Sequence, residues 1–77
     1  MNKEQCSAIR DQLEEIEAAR NALDLIKGDL EALFGDRSDV WQESEKGEAM
    51  ANVIETLDSF ISAIEVDALE VEELLDV

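Results

Sequence analysis

Between Lys3 and Phe34, the apolar residues Ile9, Ile16, Leu23 and Leu30 recur every seven positions, and Ala19, Ile26 and Leu33 follow the last three of them at a spacing of three. Alternating steps of three and four keep side chains on one face of a helix. With the first set at heptad position a, the second falls at d together with Gln12. Leu13, Arg20, Lys27 and Phe34 then occupy e, which widens the apolar stripe at both ends. The pattern returns after residue 49 with fewer interruptions, placing Ile54, Ile61, Ala68 and Leu75 at a and Met50, Leu57, Ile64 and Val71 at d. The spacing predicts two amphipathic helices, over 3–34 and 44–76, within a single domain spanning 1–77.

Local signals mark the ends of these helices. Asn2 is placed to cap the first one, with Gln5 three residues later reaching back in a capping box. Gly35 follows Phe34 as a stop signal, while Gly28 lies inside the pattern at a cost of about 1 kcal/mol relative to Ala. The connection, 35–47, contains two candidate N-caps, Ser38 and Ser44, and is expected to hold a short helical turn. Gly47 would allow another backbone or an indole to approach closely.

Charge selects how the two helices pair. In an antiparallel pair, a faces d and e faces e. Setting Leu30 opposite Leu57 brings Leu23 near Ile64, Ile16 near Val71, Ile26 near Ile61 and Leu33 near Ile54. The same alignment places Lys27 beside Asp58 and Arg20 beside Glu65, each exposed pair contributing about 0.2–1 kcal/mol. One stripe per helix is little core for a chain of this length, and apolar residues remain outside the seam: Leu13 and Phe34 at e, Val53, Phe60 and Leu74 at g, and Leu25, Val66 and Leu69 elsewhere. The expectation is an all-α, coiled-coil-like antiparallel hairpin. Two copies would join into a four-helix bundle, with Leu13, Phe34, Val53, Phe60 and Leu74 as the self-association residues.

Composition narrows the chemistry. Seventy-seven residues without His, Tyr or Pro, and with one Cys, lack imidazole bases, Cys–His pairs and the usual zinc ligands, so no catalytic residue, metal or cofactor is expected. Cys6 has no partner for an internal disulfide and reads as a reduced bystander. No run approaches the roughly 18 apolar residues of a membrane span, and the opening residues lack the apolar core of a secretory signal, which implies a cytoplasmic location. Two i, i+3 carboxylate pairs, Glu14/Glu17 and Glu70/Glu73, have divalent-cation spacing, but the heptad frame turns them outward, where carboxylates are simply solvated. Segment 35–47 does not meet the spacing of a calcium-binding EF-hand loop.

The formal net charge of −15 is distributed unevenly: all six basic residues precede Gly47, and nine acids with no base follow it. Such a chain is unsuited to bind nucleic acid or an anionic membrane directly, since both require clustered Lys and Arg. Asp58, Glu65 and Glu72 recur every seven residues, about 10 Å apart on a helix, with Glu48, Glu55, Glu70, Glu73 and Asp76 on adjoining faces. A rigid carboxylate row of this kind can occupy the basic groove of a nucleic-acid-handling protein in place of phosphates. The plainer alternative is that the acids only keep a small helical protein soluble. Trp41 either plugs the end of the bundle against Phe34 and Val53 or stands exposed as an interface anchor.

Two resemblances add to this. Glu14-x-x-Glu17 followed by Glu55-x-x-Asp58 resembles the acidic signature of the all-α nucleotide pyrophosphatases, which implies a magnesium-binding bundle; in that family the acids line the interior, whereas the first pair here points outward. The stretch from Ser38 to Ala49, with its flanking heptads, resembles the turn region of small helical-hairpin proteins of bacteriophages and prophages. That resemblance implies a mobile-element setting in which short acidic proteins, anti-CRISPR proteins among them, inhibit host defence or nucleic-acid enzymes. It implies no catalytic residue.

Overall fold

A computed structural model of the chain describes residues 1–75. It is all-α: helix α1 spans Lys3–Gly35, a single turn α2 spans Asp39–Gln42, and helix α3 spans Glu45–Leu75. The long helices lie side by side and antiparallel, as the cross-helix ion pairs Lys27–Asp58 and Arg20–Glu65 require. Together they form a rod of 57 × 15 × 14 Å. Asp76, expected in the acidic row, lies outside the described residues.

Each helix begins where its first turn finds acceptors. The Asn2 side chain accepts from the Gln5 backbone N–H at 2.8 Å and the Gln5 side chain accepts from the Asn2 N–H at 3.0 Å, a complete capping box. At the far end, α1 runs through Gly35, which adopts no left-handed conformation, and the chain leaves at Asp36, whose N–H donates to the Ala32 carbonyl while the Arg37 N–H donates to that of Phe34. Ser38 accepts from the Trp41 N–H at 3.2 Å and starts α2. The Ser44 hydroxyl accepts from the Gly47 N–H at 3.2 Å and donates to the Trp41 carbonyl, joining the single turn to α3. Gly28, within α1, has nothing within 4 Å of where a Cβ would stand, so α1 passes through it at the propensity cost alone.

The seam of α3 follows the expected rows except at Val71, which is 38% exposed, as its assigned neighbour Ile16 in α1 is at 43%. Gly47, Ile61 and Leu75 are buried, and Met50, Ile54, Leu57, Ile64 and Ala68 between them are half-buried. In α1 the seam runs differently. Ile9, Leu23 and Leu30 at a and Leu13, Arg20, Lys27 and Phe34 at e are half-buried, whereas Ile26 and Leu33 at d are 51% and 57% exposed. Ile26 and Leu33 thus keep about half of their surface outside the seam in which Ile61 and Ile54 were expected to cover them. Relative to an a/d stripe, α1 is rotated by roughly 50°, half the turn between successive residues. The rotation has a physical cause in the e row. It lays the aliphatic stems of Arg20 and Lys27 along the seam while their charged ends reach Glu65 and Asp58, and it buries Leu13 and Phe34, which are larger than the Ala19 and more apolar than the Gln12 at d.

Candidate functional site

The rotation gives the rod two unlike flanks. Along one runs the e–e row: Lys27 Nζ lies 2.7 Å from Asp58 Oδ1, with Asp24 at 3.5 Å and Glu31 at 3.9 Å, and Arg20 Nη1 lies 3.6 Å from Glu65 Oε2. Lys27 thus gathers three carboxylates. On the opposite flank, where d of α1 and g of α3 share one side of an antiparallel pair, Ile26 and Leu33 stand on the same side as Val53 and Phe60, and each of the four is more than half exposed. The groove along Asn52, Val53, Thr56, Leu57 and Phe60 contains no charged side chain.

The structure places the expected self-association residues unevenly. Leu13 and Phe34 belong to the hairpin's own seam and are half-buried, whereas Val53, Phe60 and Leu74 are exposed. Ile26 and Leu33 are exposed apolar residues as well. The signal that could have revealed this is the e row itself: Leu13, Arg20, Lys27 and Phe34 are a better stripe against an acidic e row in α3 than the weaker d row that begins with Gln5 and Gln12. Within the acidic face, Asp58 and Glu65 pair with Lys27 and Arg20 while their side chains stay 60% and 57% exposed, and Glu48, Glu55, Glu72 and Glu73 are exposed. The two ion pairs offset part of the charge at the middle of the row.

Among the described residues, Lys27 is the one group whose titration is clearly displaced. Its hydrogen bond to Asp58 raises the pKa above the usual 10.5, burial of its stem opposes this, and the charges of Asp58 and Asp24 raise it further. A lysine raised in the folded state adds stability that is fully present below the unfolded value of about 10.5 and is lost as pH climbs through the higher folded value. The thermal midpoint is expected to drop more steeply above pH ~10.5 in the wild type than in Lys27→Met, as circular dichroism melts across that range would show. Parallel curves for the two proteins would contradict the coupling.

Trp41 sits at the corner. Its ring meets Phe34 edge-on with centroids 6.3 Å apart, and the Arg37 guanidinium lies 4.6 Å from the indole centroid on its face. The Gln42 side-chain amide donates to the carbonyls of Phe34 at 2.9 Å and Arg37 at 3.1 Å, supplying donors where α1 ends and its carbonyls run out of helical partners. The expected plug against Phe34 is present. Val53 is 54% exposed.

Among the described residues, no group of three or more Asp, Glu or Cys side chains converges as a metal site, and the pairs Glu14/Glu17 and Glu70/Glu73 are exposed. The cleft between the helices at Leu13, Ile16, Arg20, Ile64 and Ala68 holds 150 Å³, less than the roughly 300–1,000 Å³ typical of small-molecule sites. No described helix is long and apolar enough to cross a membrane. No family model, characterised protein or solved structure matches the chain.

Proposed function

We propose that the chain is a non-catalytic interaction protein whose anionic α3 binds a basic surface, such as that of a host nucleic-acid-handling or defence protein in the cytosol, in the manner of a phage-encoded inhibitor that mimics nucleic acid. The observation that carries this is the base-free stretch after Lys46, which sets exposed Glu48, Glu55, Glu72 and Glu73 on a helix of 31 residues. Held on one rigid element, these charges lose little conformational entropy on binding and steer a cationic partner from a distance. Immobilised wild type and a Glu48/Glu55/Glu72/Glu73→Gln variant, each exposed to bacterial lysate, test it. The wild type is expected to retain nucleic-acid-binding proteins that added DNA or about 0.5 M salt displaces, and the variant is expected to lose them. Equal retention by both proteins, or retention indifferent to salt and DNA, would overturn the proposal.

A second reading is assembly with another copy through the apolar flank, as a four-helix bundle. It is supported by the exposure of Ile26, Leu33, Val53 and Phe60 on one side of a hairpin in which, among the described residues, Ile61 and Leu75 are the buried hydrophobic side chains.

A further inference from the structure

Part of one row of α3 reads as its own complement. Position g holds Lys46, Val53, Phe60, Asp67 and Leu74 at seven-residue intervals, and the first four are a cation, two apolar side chains and an anion. These four are exposed, and among the described residues neither Lys46 nor Asp67 forms an ion pair within the hairpin. Lys46 is the single base of α3. Its place on one side of the apolar pair, with an acid on the other, gives these four positions opposite polarity at their two ends, and Leu74 lies beyond them.

We propose that this flank is the surface by which the hairpin pairs with a second copy of itself, antiparallel, about a two-fold axis passing between Thr56 and Leu57. The proposal rests on the second reading above and specifies its face and orientation. In an antiparallel helix pair, g faces g. The axis sets Lys46 against Asp67 of the second copy and Val53 against Phe60 of the second copy, and each contact occurs twice, as an isologous interface requires. The same axis serves α1. The register fixed by Lys27–Asp58 and Arg20–Glu65 places its level near Asp29, midway between Ile26 and Leu33, so each of these meets the other's counterpart. Asp29 itself lies at g of α1, on the outer rim, where water screens it from its own copy. A two-fold along the rod would instead lay the g row of α3 on the d row of the second copy's α1, so Lys46 and Asp67 would not meet. The −15 charge of each chain opposes association generally, so an interface needs a flank such as this one, where acids are few and the terminal one meets a base.

Sedimentation equilibrium on the wild type, Lys46→Glu, Asp67→Lys and an equimolar mixture of the two variants tests both face and polarity. The wild type is expected at twice the 8.6 kDa chain mass. Each variant alone places like charges at both symmetry-related contacts and is expected to dissociate about tenfold or more readily. The mixture is expected to restore the dimer as a heterodimer, because in the mixed pair each of the two symmetry-related contacts again joins one acid to one base. Phe60→Asp is expected to be monomeric with its helicity intact. A wild type that remains monomeric at every concentration would overturn the proposal together with the reading it rests on. A dimeric wild type whose charge variants also dimerise unimpaired, with no preference for the mixed pair, would overturn this face and orientation while leaving self-association standing.

Discussion

Gly47→Ala is expected to destabilise the protein, although replacing a helical glycine by alanine ordinarily adds up to about 1 kcal/mol. A Cβ at residue 47 would overlap the carbonyl oxygens of Trp41 and Gln42 and lie 2.6 Å from the Gln42 carbonyl carbon. These are backbone atoms, fixed by the hydrogen bonds of α2 and by the Ser44 hydroxyl, and they cannot move without opening the corner that turns the chain from α1 into α3. Overpacking of this kind costs about 1–3 kcal/mol or more. Gly28→Ala is the control, because open space surrounds residue 28 and the propensity gain should appear in full. Far-UV circular dichroism melts should shift down for residue 47 and up for residue 28, by roughly 4–8 °C per kcal/mol in a domain this small. Two upward shifts would show that the corner is not packed as described.

Ile61→Ala is expected to cost about 2–5 kcal/mol, since Ile61 is 5% exposed at the centre of α3's seam and its truncation leaves a cavity between two helices that cannot close around it. Small domains have only a few kcal/mol in total, so this variant should be substantially unfolded at room temperature. Ile26→Ala removes the same atoms from a side chain 51% exposed and should cost less than about 1 kcal/mol when measured in dilute, unpaired protein. Urea midpoints at low concentration separate the two. Equal losses would mean that Ile26 packs against α3 after all, as an a/d seam requires.

The contrast between Ile61 and Ile26 shows where periodicity stops being informative. Both lie in clean heptad rows, and the spacing of either row is compatible with a helix facing a partner. What periodicity cannot fix is the rotation of one helix about its axis when two adjacent rows, d and e in α1, are both partly apolar. That choice is made across the interface, where the carboxylates of Asp58 and Glu65 favour a row containing Arg20 and Lys27 over one containing Ala19 and Ile26. The two cross-helix ion pairs were legible because they need only the heptad letters and the direction of pairing. The acidic face was legible as composition, and the structure adds that Asp58 and Glu65 share their charge with bases from α1 while Glu48, Glu55, Glu72 and Glu73 stand exposed.

By itself, the sequence determined the elements: two long amphipathic helices, the Asn2–Gln5 capping box, the Ser38 cap of a short turn and the antiparallel charge register. Each of these depends on residues near one another in the chain or on a repeat that persists along it. The tertiary structure decided which stripe of α1 meets α3, that Trp41 meets Phe34 edge-on and takes the Arg37 guanidinium on its face, and that Gly47 is pressed against the backbone of α2. These outcomes depend on the sizes and charges of side chains brought together from distant parts of the hairpin, so they arise only when the two helices compete to bury their best faces against each other.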